Sequence, residues 1–251
     1  MLVQVPMHEG FLQKLKKSTF AKQLKKTAWV QRLHGLYHAT KFYKNYKTFD
    51  YGNEFKDYIC KLPFEYAELT NNGELSACCY LPRNFGNAYK GSFRKAWNSF
   101  FAKKVRKSML DGSFRYCDKK RCRSMQYYNA NLIRKSEVQD ERLKNIILNS
   151  EISMNSDVRT LSLGMDYTCN LECPSCRTGM RKISKDEVSY QLTNFNSIMK
   201  EIGSQLDMLH ISGDGDPFSS KVYHTILLKT DWDKYPNLKI GIQTNGIALH
   251  E

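Results

Sequence analysis

Three cysteines within a stretch of eight residues constrain this chain more than any other feature of its sequence. They stand in the segment Cys169-Asn-Leu-Glu-Cys173-Pro-Ser-Cys176, just after alternating apolar residues that predict a β-strand over 161–165. Such a loop can bring three thiolates to one point. A structural zinc site uses four protein ligands, whereas three cysteines suit a 4Fe–4S cluster whose fourth iron stays open. The motif therefore favours an iron–sulfur cluster, with zinc or a chance spacing as the alternative.

The residues that follow this loop predict strands alternating with helices. Ser184 and Glu187 are spaced as a capping box that begins a helix, and Gly203 is placed to end it. Further apolar patterns predict strands at 208–211 and 238–242 and a helix at 220–229. Strands that alternate with helices form parallel β/α sheets, and the sites of such folds collect at the carboxyl ends of the strands.

Two glycine-containing loops follow the second and third of these predicted strands. The first is the segment His210-Ile-Ser-Gly-Asp-Gly-Asp-Pro-Phe218, and the second is Thr244-Asn-Gly246. Glycine suits such positions because a backbone without a side chain can approach a ligand closely. The sequence thus predicts three loops, one with cysteines and two with glycines, at the same edge of one sheet.

The three loops, taken in order, resemble those of radical S-adenosylmethionine (radical SAM) enzymes. The resemblance implies an α/β fold in which 158–251 form a partial (β/α) radical SAM barrel, truncated after about three strands. It implies that Cys169, Cys173 and Cys176 hold a 4Fe–4S cluster. It also implies a set of residues that bind S-adenosylmethionine: Ser212, Gly213, Asp214, Gly215, Asp216, Pro217, Thr244 and Asn245.

Three features depart from the pattern of that family. Ser175 stands where an aromatic residue usually precedes the third cysteine, so the adenine contacts must come from elsewhere. Asp216 replaces the glutamate of the family's Gly-Gly-Glu-Pro segment and is one methylene shorter. Fewer than a hundred residues follow the predicted boundary, so we expect a truncated sequence. A partner chain that supplies the missing half is the alternative.

The resemblance also implies an activity. In such enzymes the reduced cluster gives one electron to S-adenosylmethionine, and the resulting 5′-deoxyadenosyl radical takes a hydrogen atom from the substrate, here expected to be a peptide or a small polar molecule. An electron donor such as flavodoxin or ferredoxin is implied as a partner. No catalytic residue is predicted beyond the cluster ligands. His210 and His224 lie near the predicted site, but packing or solvation is the preferred interpretation of both.

Five more cysteines precede this region: Cys60, Cys78, Cys79, Cys117 and Cys122. The segments Cys60-Lys-Leu-Pro-Phe64, Gly86-Asn87 and Ala96-Trp97-Asn98-Ser99 make 58–125 resemble a SPASM or twitch domain, which binds auxiliary 4Fe–4S clusters and in most members follows the barrel. The resemblance implies Cys60, Cys78, Cys117 and Cys122 as ligands, with Cys79 as a spare or a substitute for Cys78. The last pair is spaced by four residues instead of the commoner two. A structural zinc site and buried free thiols are the alternatives.

The sequence pattern divides the chain into four parts: a basic, largely helical segment at 1–57, a small α+β SPASM/twitch-like cluster domain at 58–135, a linker helix and loop at 136–157, and the N-terminal part of a radical SAM domain at 158–251. Within the second part, a hairpin is predicted around Asn71-Asn72-Gly73, and a single helix over 93–109 is stopped by Gly112. Ser136 and Gln139 are spaced as a capping box that begins the linker helix.

Composition limits the setting more than it limits the function. The chain contains no apolar run long enough to cross a membrane and does not begin with a secretion signal, so we expect a cytoplasmic protein whose clustered cysteines bind metal. The net charge of +14 would attract an anionic partner. Two alternative functions follow. One is radical SAM modification of RNA or an anionic polysaccharide, and the other is a non-enzymatic, zinc- or cluster-stabilised nucleic-acid-binding protein.

Overall fold

The computed structural model describes residues 48–129, 131–154, 158–174, 176, 179–211 and 215–250. The chain divides into two compact units, residues 1–47 and residues 48–251. The predicted basic helical segment at 1–57 therefore lies outside the described residues except for its last ten.

The centre of the second unit is a six-stranded sheet with the order β4-β3-β2-β6-β7-β8. Its strands are β2 (Tyr66–Thr70), β3 (Glu74–Ser76), β4 (Gly86–Asn87), β6 (Thr160–Gly164), β7 (Met208–Ile211) and β8 (Lys239–Ile242). Strands β1 (Tyr58–Cys60) and β5 (Leu132–Arg134) form a separate antiparallel pair. The helices are α1 (Leu62–Glu65), α2 (Phe93–Trp97), α3 (Phe100–Leu110), α4 (Arg123–Tyr127), α5 (Glu141–Asn149), α6 (Lys185–Ile202) and α7 (Lys221–Lys229). The fold is a mixed α/β fold with a mainly parallel sheet.

The parallel part of the sheet joins two segments that the sequence pattern separates. Strand β2 lies within the predicted segment 58–135, and β6 lies within 158–251. The two strands pair in parallel, with Ala67 beside Leu161 and Leu69 beside Leu163. Strands β7 and β8 then continue the parallel arrangement. The division of the chain at 136–157 stays a prediction, and one sheet crosses it.

The two faces of this sheet differ in polarity because successive side chains of a strand point to opposite faces. One face carries Leu69, Leu163 and Ile211, which are fully buried. The apolar residues of α6 and α7 belong to the same buried cluster. The other face carries polar residues, among them Glu68 and His210. The polar face is the one that reaches the candidate site described below.

The helix predicted over 93–109 is two helices in the structure. Helix α2 ends at Trp97 and α3 begins at Phe100. Ser99 caps α3 by accepting a hydrogen bond from the backbone N–H of Ala102. Asn98 is drawn out of the helical path because its amide donates to the Met154 carbonyl at 2.6 Å and its carbonyl oxygen accepts from the Met154 N–H at 2.7 Å. A long-range contact therefore breaks a helix that the apolar spacing predicts as continuous.

The helix predicted from Ser136 is also wrong at its start. Helix α5 begins at Glu141, and Asp140 caps it by accepting hydrogen bonds from two backbone N–H groups. Ser136 lies in a short 3₁₀ turn before the helix. The acidic N-cap precedes the apolar face of the helix more closely than Ser136 does, and it sets the boundary.

Several other predicted elements are confirmed. The hairpin forms between β2 and β3, with Gly73 in the left-handed region at φ 77°. Helix α6 begins with the capping box of Ser184 and Glu187, and the strand predicted at 208–211 is β7. Among the described residues, no helix has the length and apolar character needed to cross a membrane.

Candidate metal centre

Four of the N-terminal cysteines come together around one cavity. Cys60 is the last residue of β1, and Cys78 follows β3 by two residues. Cys117 lies in the loop after α3, and Cys122 is the N-cap residue of α4. All four line a cavity of about 500 Å³. Residues that are 62 positions apart in sequence, from Cys60 to Cys122, therefore face the same space.

Hydrogen bonds fix the loops that carry these cysteines. The Tyr51 hydroxyl donates to the Cys117 carbonyl at 2.8 Å and accepts from the Lys119 N–H at 3.0 Å. The Cys122 N–H donates to the Asp118 carbonyl at 2.9 Å, which closes the turn between the two cysteines. These contacts explain how the wide spacing of this pair still places both thiols on the cavity.

The Cys78 side is held in a similar way. The Ser76 hydroxyl donates to the Cys78 carbonyl at 2.9 Å, and the Tyr80 N–H lies 3.4 Å from the Cys78 sulfur. An N–H group that points at a thiol sulfur favours the deprotonated form that binds metal.

Burial raises the pKa of three of these four thiols. It raises the pKa of Cys60 to about 12 and that of Cys78 to about 11. The pKa of Cys117 is also raised by burial, with smaller contributions from Cys60, Cys78 and Cys122. Cys60, Cys78 and Cys122 thus each raise the pKa of at least one neighbouring thiol, as expected for sulfurs that lie close together. A cationic group in the cavity would reverse this effect.

The cavity-lining thiols supply ligands that both iron–sulfur clusters and zinc use. Four cysteines can hold either a 4Fe–4S cluster or a structural zinc ion. Within the described residues, no three His, Cys, Asp or Glu side chains are placed around a single metal-ion position.

The same cavity extends from the cysteines to the polar face of the sheet. Tyr66, Glu68, Thr160 and His210 line it together with the thiols. The strand register places Glu68 beside Ser162 and Ser162 beside His210, so these side chains form a row across β2, β6 and β7. His210, predicted as packed or solvated, is exposed and lines this cavity. Strand parity accounts for its orientation, because His210 alternates with the buried Leu209 and Ile211 and so faces the polar side.

Cys79 also lines the cavity, although its side chain is exposed. Of the five N-terminal cysteines, it is the one exposed at the surface. It lies beside Cys78, as the prediction of a spare or substitute ligand requires, and that role stays a prediction.

The second group of cysteines lies at the carboxyl end of β6. Cys169 is half-buried, while Cys173 and Cys176 are exposed. The Cys176 N–H donates to the Cys173 carbonyl at 2.9 Å, which makes a turn between them. The Glu172 carboxylate accepts from the Met180 N–H at 2.9 Å and closes the loop. The loop lies at the edge of the sheet where its sequence position predicts it.

The described residues of the predicted S-adenosylmethionine site lie at the same edge. Gly215 packs against the loop after β6, where an added Cβ would come within 2.5 Å of two backbone carbonyl oxygens. Asp216 is 1% exposed, and its carboxylate accepts a hydrogen bond from the Thr244 hydroxyl at 2.6 Å and from the Asn245 N–H at 2.8 Å. Pro217 follows in a turn. Ser212, Gly213 and Asp214 lie outside the described residues.

Comparison with known families identifies part of the chain. A family model for the SPASM iron–sulfur cluster-binding domain matches residues 60–124, which include all five N-terminal cysteines. No curated protein and no solved structure matches the chain. The match confirms the SPASM part of the predicted resemblance and gives this segment an iron–sulfur cluster-binding role.

Proposed function

We propose that this chain is part of a radical SAM enzyme whose SPASM segment holds an auxiliary 4Fe–4S cluster. The observation that carries the proposal is the convergence of Cys60, Cys78, Cys117 and Cys122 on one cavity inside the matched segment. SPASM domains occur in radical SAM enzymes, and the cysteine loop 169–176 lies in the same compact unit.

The donor set around the cavity fits the proposed auxiliary cluster. Four thiols are the ligand set of a 4Fe–4S cluster that has no open iron. Arg123 lines the same cavity, and its positive charge offsets the negative charge of thiolate ligands. In this proposal the part of the cavity that the cluster leaves free is lined by Glu68 and His210.

A second cluster is proposed at Cys169, Cys173 and Cys176, with S-adenosylmethionine at its open iron. Support comes from the position of this loop at the carboxyl end of β6, beside the loops that follow β7 and β8. The exposed thiols of Cys173 and Cys176 are accessible for cluster assembly. A cluster bound there would supply the electron that cleaves S-adenosylmethionine to methionine and a 5′-deoxyadenosyl radical.

The residues of this chain then bind, orient and shield the reactants. Gly215 lets the loop after β7 approach the cysteine loop closely. Glu68 and His210 line the cavity and offer hydrogen-bonding groups to a substrate on the polar face of the sheet. Such a lining suits a peptide or a small polar molecule, which is the proposed substrate class. An electron donor such as flavodoxin or ferredoxin would complete the system.

The proposal is tested by anaerobic reconstitution of the protein with iron and sulfide. We expect about eight irons per chain, the content of two 4Fe–4S clusters. After reduction with dithionite we expect formation of 5′-deoxyadenosine from S-adenosylmethionine. Cys173→Ala should abolish that product and remove about half of the iron. Cys60→Ala should remove the other half, because it lacks a ligand of the auxiliary site.

Either of two results would contradict the proposal. Zinc without iron in a folded sample would show that the cysteines form a structural zinc site and do not bind a cluster. Intact S-adenosylmethionine in a sample with about eight irons per chain would exclude the proposed activity while leaving both clusters in place. Cys79→Ala tests the predicted spare or substitute ligand separately: an unchanged iron content would assign the fourth ligand position to Cys78.

A further inference from the structure

We propose that Asp216 and Asn245 position Cys169 through a chain of hydrogen bonds. We call these two residues, together with Thr244, the latch. The latch lies at the carboxyl ends of β6, β7 and β8. Asp216 and Asn245 are then positioning residues for the cysteine loop. The inference rests on the proposed function only where it concerns a cluster held by Cys169.

Asp216 connects the loops that follow three neighbouring strands. Its backbone N–H donates to the Thr168 carbonyl in the loop after β6, at 2.8 Å. One carboxylate oxygen, Oδ2, accepts from the Thr244 hydroxyl at 2.6 Å and from the Asn245 N–H at 2.8 Å, both after β8. The other oxygen, Oδ1, accepts from the Phe218 N–H at 3.0 Å after β7. A charged acceptor with three donors and 1% exposure is a strong local restraint.

Asn245 carries this restraint to the cysteine loop. Its side-chain nitrogen donates to the side-chain oxygen Oδ1 of Asn170 at 2.8 Å and lies 3.6 Å from the Cys169 sulfur, within the range of an N–H···S hydrogen bond. Its side-chain oxygen accepts from the Ile247 N–H at 3.0 Å. The Asn245 backbone is held by Asp216 and its side chain holds Cys169, so the buried carboxylate acts on the thiol through one residue.

This arrangement gives Asp216 a task different from the one that the resemblance implies. There, the acidic residue of this segment contacts the amino group of S-adenosylmethionine. Here, both carboxylate oxygens are occupied by hydrogen bonds within the protein: Oδ1 accepts from the residue's own turn, and Oδ2 accepts from the loop after β8. The shorter side chain of aspartate suits this role because its carboxylate stays close to its own backbone turn, where the Phe218 N–H is.

Two substitutions separate the parts of the latch. In Asp216→Asn, the side-chain oxygen and the side-chain nitrogen still face the backbone N–H groups of Phe218 and Asn245. A backbone N–H group can only donate, and the new NH₂ group cannot accept. At least one hydrogen bond is therefore lost in either orientation of the amide. Asn245→Ala keeps the backbone bond to Asp216 but removes every side-chain bond to the cysteine loop.

The first measurement is hydrogen–deuterium exchange of the cluster-free chain, resolved by peptide. We expect Asn245→Ala to raise the exchange rate of 168–172 about tenfold, which corresponds to ~1.4 kcal/mol of local stability. Asp216→Asn should raise the exchange of both 168–172 and 244–247. The matched control is Asn194→Ala, which removes an exposed asparagine side chain that donates to the Tyr190 carbonyl on α6 and should leave both segments unchanged. Unchanged exchange of 168–172 in Asn245→Ala would overturn the latch.

The second measurement is the midpoint potential of the cluster at 169–176 after reconstitution. Hydrogen bonds to cluster sulfurs favour the more negative, reduced state, so Asn245→Ala should lower the potential with iron content unchanged. An unchanged potential would overturn the action of Asn245 on the cluster. A wild-type chain that takes up no cluster at this loop, yet shows the exchange effect, would refute the proposed function and support the latch.

Discussion

At the residue scale, a single buried arginine connects the parts of the SPASM segment. Arg106 is 0% exposed, and its guanidinium lies 4.5 Å from the centre of the Trp97 ring. It donates to the carbonyls of Pro63 at 2.8 Å, Trp97 at 2.9 Å and Ile152 at 3.2 Å. One side chain therefore satisfies carbonyls from α1, from the end of α2 and from the stretch after α5. Because Leu62 and Pro63 of α1 line the cavity, Arg106 links one wall of the cavity to the rest of the core.

Replacing this arginine tests how far it holds the segment together. Arg106→Met keeps much of the volume but leaves buried carbonyls without a donor, at ~1–3 kcal/mol each. We expect the free energy of unfolding of the metal-free protein to fall by about 3 kcal/mol, measured by urea unfolding. Arg134→Met, on an exposed arginine with a surface ion pair to Glu137, should change it by ~1 kcal/mol or less. Equal losses of unfolding free energy in the two variants would show that the hydrogen bonds of Arg106 to the buried carbonyls do not cause the destabilisation.

The raised thiol pKa values predict how stability depends on pH without metal. Cys60 has its pKa raised by burial to about 12 in the folded chain, above the value of 9.0 for an unperturbed thiol. The neutral thiol is therefore favoured by folding. Its stabilisation is complete below pH ~9 and is lost as the pH rises toward 12.

The measurement is urea unfolding of the metal-free protein between pH 7 and 11. Wild-type protein should lose stability above pH ~9 more steeply than Cys60→Ala, because that variant lacks one of the groups that must ionise. Leu228→Ala, which changes an exposed residue and no ionisable group, should follow the pH dependence of the wild type. Parallel curves for wild type and Cys60→Ala would mean that the Cys60 thiol titrates alike in folded and unfolded chains.

At the scale of elements, the loops at the carboxyl edge of the sheet pack on each other through backbone. A Cβ added to Gly215 would lie 2.5 Å from the carbonyl oxygens of Asp166 and Thr168. Asp166 is itself fixed, since its carboxylate accepts hydrogen bonds from the Ser220 hydroxyl and from Thr168. The loop after β6 cannot give way without breaking these bonds. Contact between two loops thus depends on the absence of one side chain.

Gly215→Ala should separate the loops after β6 and β7. We expect a loss of ~1–3 kcal/mol in the free energy of unfolding, which is the usual cost of inserting an atom into a packed site. We also expect faster hydrogen exchange at 166–169. The control is Gly179→Ala in the cysteine loop, where a Cβ would meet no atom within 4 Å. A wild-type exchange pattern in Gly215→Ala would show that the loops can shift freely.

At the scale of the molecule, the parallel pairing of β2 with β6 places the SPASM segment and the cysteine-loop segment in one sheet. Residues 48–251 form one compact unit, and their buried apolar side chains form a single cluster. Both cysteine groups are therefore carried by the same sheet. We therefore expect a destabilising substitution in one part of this sheet to lower the stability of the other part.

Leu69→Ala tests this shared stability. Leu69 lies on β2, is 0% exposed and pairs with Leu163. Its truncation should cost ~2–5 kcal/mol and should lower hydrogen-exchange protection equally in β2 and in β7. Leu228→Ala, on a leucine that is 70% exposed, should have little effect on either strand. Loss of protection confined to 58–135 would instead mean that the segments 58–135 and 158–251 fold independently.

The local elements of this fold could be predicted from sequence because their signals are local. The capping box of Ser184, the turn at Gly73 and the apolar alternation of β7 depend on residues within a few positions of one another. The two boundaries that were predicted wrongly have other causes. Asn98 bonds to Met154, which interrupts the helix over 93–109, and Asp140 takes the capping role assigned to Ser136.

Patterns along the chain reveal the potential metal ligands of this protein: two groups of cysteines, three loops after predicted strands and a SPASM pattern confirmed by the family match. These features are recognised from residue type and spacing over short stretches. Which of these groups come together depends on the tertiary structure. The pairing of β2 with β6, the place of His210 on the cysteine cavity and the burial of the Asp216 carboxylate all join residues far apart in sequence. Such contacts depend on how hydrophobic faces pack, and that packing is fixed only when the whole sheet forms.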